Sequence, residues 1–380
     1  MIPFLDLKKI NKPYETAFQE KLKSVLENGW YILGKEVEIF EKAFAEYCHY
    51  KYCIGVGNGF DALVLIFKGY IELGKLQKGD EIIVPANTYI ASILAILQAD
   101  LIPVLVEPKL ETYNINPNLI QEKITPKTKA ILAVHLYGQL AEMEKINEIA
   151  EKNNLIVVED CAQSHGAKIN KFQDQNSKFQ PNGNLKSKIN NLKSACAYSF
   201  YPGKNLGCLG DGAAITTNDS ELAKVLFSLR NYGSEKKYHN EYIGVNSRLD
   251  ELQAGFLNLK LPNLDADNEK RRAVAKRYLA AIKNDKITLP FWDFSTNHVF
   301  HLFVIRTENR ENLQEYLTQN NIQTVIHYPI PPHQQKAFEE WNKLSFPITE
   351  KIHREVLSLP ISPVLTESEV DFIIETINRF

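Results

Sequence analysis

Short apolar segments alternate with helical segments over the first 160 residues, and this alternation constrains the fold more than any other feature. Strand-like runs are predicted near residues 52–56, 80–85, 102–106, 129–134 and 155–158. Helices are predicted near residues 14–28, 35–48, 60–73, 91–98 and 142–153. Apolar strands separated by helices are typical of a largely parallel sheet that is covered on both faces. The sequence therefore predicts an α/β fold.

Polar and glycine residues follow several of these strands directly. Gly57-Asn58-Gly59 comes after the first strand, His135 after the fourth and Asp160 after the fifth. In sheets of this kind ligands bind outside the carboxyl ends of the strands. We therefore expect these residues and Lys204 to gather at one edge of the sheet.

Lys204 stands in a segment that suggests covalent chemistry. An aromatic run ends in Pro202-Gly203-Lys204, and the chain turns again at Gly207. Glycine and proline mark tight bends and places where a ligand approaches the backbone. A lysine held there away from water has a lowered pKa and reacts with carbonyl groups to form Schiff bases. The competing interpretation is an ordinary surface lysine, because most lysines are exposed.

Asp160 and the glycine segment extend this hypothesis. Cys161 and His165 do not form a convincing ligand set with Asp160, so no metal site is predicted. A carboxylate that pairs with a protonated pyridine nitrogen suits a neighbouring Schiff-base lysine, because pyridoxal phosphate is a better electron sink with a cationic ring. Gly57-Asn58-Gly59, between a strand and a helix, places N–H groups where phosphate binds readily.

Composition gives no indication of a nucleic-acid or membrane partner. The chain has 44 basic and 46 acidic residues, for a formal net charge of -2, and no strong charge bias follows from this. The apolar region 90–106 is interrupted by Gln98, Asp100 and Pro103, which makes it a poor membrane span. The N-terminus does not resemble a secretory signal. Five scattered cysteines favour reduced thiols and a cytoplasmic location.

A change in sequence texture near residue 250 predicts two domains. Residues 1–249 are expected to form the large domain, and residues 250–380 a smaller α+β domain. Within the first, residues 169–193 hold six Asn, three Gln and five Lys. Such a polar segment has few apolar groups to bury, so we expect a surface insertion.

The chain resembles the DegT-like family of sugar-nucleotide aminotransferases, which depend on pyridoxal phosphate and have PLP fold type I, the fold of aspartate aminotransferase. The motifs that carry this resemblance occur in the family's order along most of the chain: 29–34, 57–63, 85–89, 134–138, 159–166, 197–207, 246–254 and 327–329. The resemblance implies a large, mostly parallel seven-stranded sheet domain and a smaller C-terminal α+β domain. In relatives the chain is usually shorter where residues 169–193 stand here.

The resemblance also assigns roles in a cofactor site. Lys204 would be the catalytic residue that joins pyridoxal phosphate covalently. Asp160 would pair with the ring nitrogen, and Gln163 would bond the ring hydroxyl oxygen. Tyr89 would stack on the ring face.

Further roles concern the phosphate and the second subunit. Gly59, the Phe60 backbone and the Ser199 hydroxyl would hold the phosphate group. Asn246 would reach the phosphate from the partner subunit, which implies a homodimer with shared active sites.

The preferred substrate follows from the same resemblance. The closest likeness is to relatives that use L-glutamate to aminate C3 of a dTDP-linked 3-keto-6-deoxyhexose, giving a dTDP-3-amino-3,6-dideoxyhexose. His327 and Tyr31 would contact the substrate. An alternative is amination at C4 of a UDP- or dTDP-4-keto sugar, although relatives of that kind often carry His where Gln163 stands. An NAD-dependent oxidoreductase is the alternative from another class, and the glycine spacing at 55–59 argues against it.

Overall fold

The computed structural model describes residues 1–168, 194–236 and 238–380. The polar segment 169–193 lies outside the described residues. The main sheet is built from β1 Tyr52–Val56, β2 Glu81–Pro85, β3 Ile102–Val106, β4 Thr128–Val134, β5 Ile156–Asp160, β6 Ala195–Ser199 and β7 Ala213–Thr217. The helices up to β5 are α1 Leu7–Asn11, α2 Glu15–Asn28, α3 Lys35–Cys48, α4 Gly59–Glu72, α5 Ile90–Gln98 and α6 Met143–Asn153.

The sheet has seven strands within the described part of the chain, in the order β1-β7-β6-β5-β4-β2-β3. The strands β6, β5, β4, β2 and β3 pair in parallel, whereas β7 is antiparallel to both β6 and β1. Six strands therefore run in one direction and β7 runs in the other. The predicted α/β class with a mostly parallel seven-stranded sheet is confirmed.

Both faces of the sheet are covered, which explains the continuous apolar runs in the strands. Alternate residues of each strand point to opposite faces. On β4, Leu132 belongs to the core under α4 and α5, whereas Ile131 packs in a separate cluster with α6. On β6, Ala197 faces α4 and Tyr198 packs on the opposite side with Phe44 of α3.

Local sequence signals set the ends of the helices near the site. The Asn58 side chain accepts the Asp61 N–H at 2.9 Å and caps the N-terminus of α4. Gly29 ends α2 with a φ of 66°, a left-handed conformation that glycine adopts without steric cost. No helix in the described ranges is both long and apolar enough to cross a lipid bilayer.

The C-terminal part packs a second core. The strands Phe303–Arg306 and Val356–Leu359 pair antiparallel. The remaining α-helices in the described ranges are Ser220–Leu229, Glu251–Lys260, Leu264–Ala281, Arg310–Gln319, Pro347–Glu355 and Glu367–Arg379. A small hairpin joins Ser234–Lys236 and His239–Asn240. The second core draws on residues 274–377 and also contains Ile2, so the N-terminus packs with the C-terminal part. The domain boundary at 249/250 stays a prediction.

Candidate active site

The carboxyl ends of three strands lie at one edge of the sheet. Ala213, the first residue of β7, is paired with Val56 on one side and with Ser199 on the other. Asp160, the last residue of β5, is paired with Ala197 of β6. The loops after β1, β5 and β6 therefore start from the same edge.

Lys204 is held in a tight turn after β6. Its backbone N–H donates to the Tyr201 carbonyl at 2.8 Å. At Gly207 a Cβ atom would lie 2.4 Å from the Pro202 carbonyl oxygen, so the turn closes only with glycine there. Burial lowers the pKa of Lys204 to about 8, and the nearby Asp160 acts in the opposite direction. The amine is therefore neutral far more often than that of a surface lysine.

Asp160 is buried and receives two hydrogen bonds. The Ser92 hydroxyl donates to Oδ2 at 2.9 Å, and the Ala162 N–H donates to Oδ1 at 3.1 Å. Only 9% of Asp160 is exposed, so its carboxylate is held by protein donors rather than by water. A fixed, hydrogen-bonded carboxylate close to an amine is suited to binding a cationic ring.

The amide of Gln163 has a fixed orientation. Its Oε1 accepts the Tyr137 N–H at 2.6 Å, so its Nε2 is the donor that faces the Tyr328 hydroxyl at 3.2 Å. The Tyr328 ring lies 5.0 Å from the ring of Tyr89. Gln163 and Tyr89 therefore both contact Tyr328.

The start of α4 forms a cradle for an anion. The Asn58 side chain accepts the Asp61 N–H, whereas the N–H groups of Gly59 and Phe60 have no hydrogen-bond partner within the described ranges. A Cβ at Gly59 would lie 2.7 Å from the Ser199 Cβ, so the helix N-terminus approaches β6 as closely as glycine allows. Unpaired N–H groups at a helix N-terminus favour phosphate.

The charge of Lys204 acts on three buried or partly buried histidines. Burial, followed by the charge of Lys204, lowers the pKa of His165 to about 3 and that of His327 to about 4, and it lowers the pKa of His301 well below its usual value. All three are therefore neutral near pH 7. His327 is further fixed by its Nδ1, which lies 2.9 Å from the Ser358 hydroxyl.

Two predicted site residues, Asn246 and Tyr31, are exposed. Asn246 is exposed, and its backbone pairs with Asn231. Tyr31 is 52% exposed, and its carbonyl accepts the Glu251 N–H at 3.2 Å. The other eight predicted residues, Gly59, Phe60, Tyr89, Asp160, Gln163, Ser199, Lys204 and His327, lie at the sheet edge or in the loops next to it.

Sequence reasoning missed Ser92, Tyr328 and His301. Tyr328 lies in the 327–329 motif, so its position was available from the sequence although its contact with Gln163 was not. His301 is oriented by Asn205, whose Nδ2 donates to Asn268 at 2.8 Å and whose Oδ1 therefore accepts from the His301 Nδ1 at 3.1 Å. Its Nε2 is left as an acceptor. The sequence offered no signal for this tautomer.

One cluster could in principle hold a metal. The ligand atoms of His135, Glu159 and Cys161 lie within 4.8 Å of one another. However, His135 Nδ1 accepts the Ala141 N–H at 3.1 Å and its Nε2 lies 3.0 Å from Glu159. The imidazole is therefore already hydrogen-bonded at both nitrogens, which explains its burial without a metal.

The residues at the sheet edge fit pyridoxal phosphate. A lysine amine with a lowered pKa, a buried carboxylate, a partly exposed aromatic ring and a glycine-lined helix N-terminus match the aldehyde, the ring nitrogen, the ring face and the phosphate of that molecule. Because residue 59 is glycine, no side chain fills the space between the start of α4 and Ser199.

Comparisons with known proteins agree with this chemistry. The sequence profile of the DegT/DnrJ/EryC1/StrS aminotransferase family matches residues 13–378. The chain is 57% identical over 380 residues to dTDP-3-amino-3,6-dideoxy-alpha-D-galactopyranose transaminase of Aneurinibacillus thermoaerophilus, covering 100% of this chain and 99% of that protein. It is 42% identical to dTDP-3-amino-3,4,6-trideoxy-alpha-D-glucose transaminase of Streptomyces venezuelae, covering 100% of this chain and 96% of the relative.

Solved structures show the same fold. The crystal structure of S. venezuelae DesV in complex with a ketimine intermediate superposes with a TM-score of 0.90 at 42% sequence identity, covering 100% of this chain and 98% of that one. Because the match covers the whole chain, it includes the C-terminal helices and the two-stranded sheet as well as the main sheet.

Proposed function

The chain belongs to the DegT/DnrJ/EryC1/StrS aminotransferase family and depends on pyridoxal phosphate, and we propose that it transfers an amino group from L-glutamate to C3 of a dTDP-linked 3-keto-6-deoxyhexose. The product is a dTDP-3-amino-3,6-dideoxyhexose. The observation that supports this substrate is the 57% identity, over the whole chain, to a relative whose name gives that nucleotide and that carbon. The galacto configuration in that name is the first one to test.

The assignment of Lys204 as the catalytic residue is supported by its electrostatics. With a pKa of about 8, about one-tenth of the amine is neutral at pH 7, against about 0.03% for an ordinary lysine. A neutral amine is needed both to attach the cofactor and to accept a proton. Lys204 Nζ would move the proton between the donor's α-carbon and the cofactor.

Other side chains hold and orient the cofactor. Bound pyridoxal phosphate supplies an electron-poor ring that stabilises negative charge at the substrate carbon. Asp160 would bind the proton on the ring nitrogen, and Tyr89 would cover a ring face. Gln163 donates one Nε2 hydrogen to the Tyr328 hydroxyl, which leaves the second Nε2 hydrogen for the ring oxygen.

The phosphate group is assigned to the cradle at α4. The N–H groups of Gly59 and Phe60 begin this helix, the Ser199 side chain lies against Gly59, and the helix dipole adds to their attraction for an anion. Substrate contacts are assigned to His327 and Tyr31. The charge of Lys204 acts on His327, whereas Tyr31 forms no hydrogen bond with the site residues within the described ranges.

We assign the exposed residues Asn246 and Tyr31 to an active site shared between two subunits of a homodimer. Asn246 stands between Val245 and Ser247 in the sequence. The Ser247 hydroxyl accepts the Gly57 N–H at 3.0 Å. A partner that covers this surface would bury Asn246 next to a glycine loop. We also place the enzyme in the cytoplasm, in line with its five free cysteines.

The substrate assignment is tested by product analysis. The purified enzyme is incubated with L-glutamate and a panel of dTDP- and UDP-linked 3-keto and 4-keto sugars, and the aminated carbon is identified by NMR. Amination at C3 of the dTDP-linked 3-keto-6-deoxyhexose is expected. Amination of only the 4-keto sugars would replace our proposal by the C4 alternative. Lys204→Ala serves as the inactive control.

The shared site is tested with mixed dimers. Asn246→Ala and Lys204→Ala each impair the site in a homodimer. If Asn246 acts across the interface, a mixed dimer has one site with both substitutions and one site with neither. About half of the dimers in a co-refolded mixture are mixed, so activity should return to about one-quarter of wild type. Mixtures as inactive as the two parents would contradict the assignment.

A further inference from the structure

Three buried side chains form a hydrogen-bonded series that ends at the proposed cofactor site. Thr88 Oγ1 lies 2.9 Å from Ser92 Oγ, and Ser92 Oγ lies 2.9 Å from Asp160 Oδ2. The exposed fractions of Thr88 and Ser92 are 2% and 1%. Water therefore does not compete for these hydroxyls, and hydrogen bonds in such surroundings are stronger than in water.

The protons in this series have one arrangement. A serine hydroxyl has a single hydrogen to donate and two lone pairs to accept with. Ser92 donates its hydrogen to the Asp160 carboxylate, which as an anion only accepts. The Thr88 hydroxyl must therefore donate to Ser92, since the reverse would leave two oxygen lone pairs facing each other between Ser92 and Asp160. Both hydroxyls are thus polarised towards the same carboxylate.

The series is not explained by the needs of the helix. Serine and threonine near a helix usually bond to a local carbonyl group or to water. Ser92, inside α5, instead reaches a carboxylate that is 68 residues away in the sequence. Thr88 and Ser92 also flank Tyr89, so one short segment provides both the aromatic ring and the two hydroxyls of the site.

The second oxygen of Asp160 is also held. The Ala162 N–H donates to Oδ1 at 3.1 Å, while Ser92 donates to Oδ2. One donor on each oxygen fixes the plane of the carboxylate, because rotation of the group would break both bonds. Each oxygen keeps a lone pair for a further donor.

We propose that Ser92, supported by Thr88, is a positioning residue that fixes the Asp160 carboxylate for the ring nitrogen of the cofactor. This inference rests on the proposed function, which gives Asp160 its partner. Neither hydroxyl is assigned a contact with the ring. A carboxylate that is oriented before binding loses less freedom when the ring arrives, so the cofactor binds more tightly.

The test measures binding of pyridoxal phosphate to the full-length enzyme freed of cofactor by dialysis. Ser92→Ala should raise its dissociation constant about tenfold to a hundredfold, because a hydrogen bond to a charged group is lost. Thr88→Val should raise it about threefold to tenfold, because the bond lost is between neutral groups. Thr88→Ser keeps the hydroxyl and should restore wild-type binding.

A matched control separates positioning from packing. Ser164 is another buried serine in the loop after β5, but its hydroxyl donates to the Cys161 carbonyl at 3.4 Å rather than to Asp160. Ser164→Ala should leave the dissociation constant unchanged. A second probe is a cofactor analogue in which a C–H group replaces the ring nitrogen. It offers Asp160 no donor, so Ser92→Ala should not weaken its binding.

The binding measurements distinguish a failure of this inference from a failure of the proposed function. Weaker binding of pyridoxal phosphate but not of the analogue supports the inference. Equal weakening for both molecules, or no weakening in either Ser92→Ala or Thr88→Val while Asp160→Asn binds poorly, would overturn it and leave the proposed function intact. If Asp160→Asn and Lys204→Ala also bind the cofactor like the wild type, the proposed function itself fails.

Discussion

Replacing Asp160 by Asn should move the reactivity of Lys204 to lower pH. The amide has nearly the shape of the carboxylate but no charge. In the structure burial lowers the pKa of Lys204 to about 8, and the negative charge of Asp160 opposes that shift. Removing the charge leaves burial unopposed, so the neutral amine becomes more abundant.

The size of the effect follows from the protonation equilibrium. With a pKa of about 8, about one-tenth of the amine is neutral at pH 7. Loss of one opposite charge at close range changes a protonation equilibrium by about tenfold or more. The neutral fraction at pH 7 should then rise to about one-half, and the initial rate of Lys204 modification about fivefold.

The assay is modification of cofactor-free protein by a small aldehyde with borohydride trapping, followed across pH 5 to 10 by peptide mass spectrometry. Lysine is charged below its midpoint and neutral above it, so modification rises with pH through that midpoint. Lys260 is an internal control, since burial also lowers its pKa to about 8 but Asp160 does not act on it.

Two results would refute this reasoning. The first is a wild-type midpoint for Lys204 near that of an ordinary lysine, which would mean that burial does not control the amine. The second is an unchanged or higher midpoint in Asp160→Asn, with Lys260 unaffected in both proteins. Either result would remove the electrostatic basis for a catalytic Lys204.

Three further substitutions have expected outcomes. Gly59→Ala places a methyl group 2.7 Å from the Ser199 Cβ and should weaken cofactor binding at least tenfold, as measured by equilibrium dialysis, with strain of about 1–3 kcal/mol. Tyr328→Phe removes the hydroxyl that accepts from Gln163 and should lower kcat/KM about tenfold while the fold is kept, which circular dichroism would check. Glu41→Gln breaks a buried ion pair with Arg230 and should cost about 3–5 kcal/mol of unfolding free energy in denaturant titrations; a loss below 1 kcal/mol would contradict it.

The fold was largely predictable because its signals are local. Each strand from β1 to β5 has five to seven residues and contains an apolar run, and the alternation with helices indicates a parallel sheet by itself. The strand β7 was missed. Its sequence, Ala-Ala-Ile-Thr-Thr, is short and weakly patterned, and its direction depends on pairing with β1 and β6 on both sides.

The site was predictable only where residues follow strand ends. Asp160 and Ser199 terminate β5 and β6, so the topology alone brings them to one edge. Ser92 has no such signal, because whether a helical serine faces solvent or a carboxylate depends on how α5 packs on the sheet. The orientation of His301 depends on Asn205 and Asn268, which come from separate segments.

The Asp160 carboxylate has to carry its charge and the Lys204 amine has to be neutral, although both groups are buried. Burial disfavours charge on an amine and on a carboxylate alike. The structure separates them by hydrogen bonding: Asp160 receives donors from Ser92 and Ala162, whereas no acidic side chain in the described ranges forms an ion pair with Lys204. The carboxylate is thus compensated by direct hydrogen bonds, whereas the charge of Asp160 offsets the burial of the amine only in part. This difference lets one site hold an anion for a cationic ring next to an amine that is available as a base.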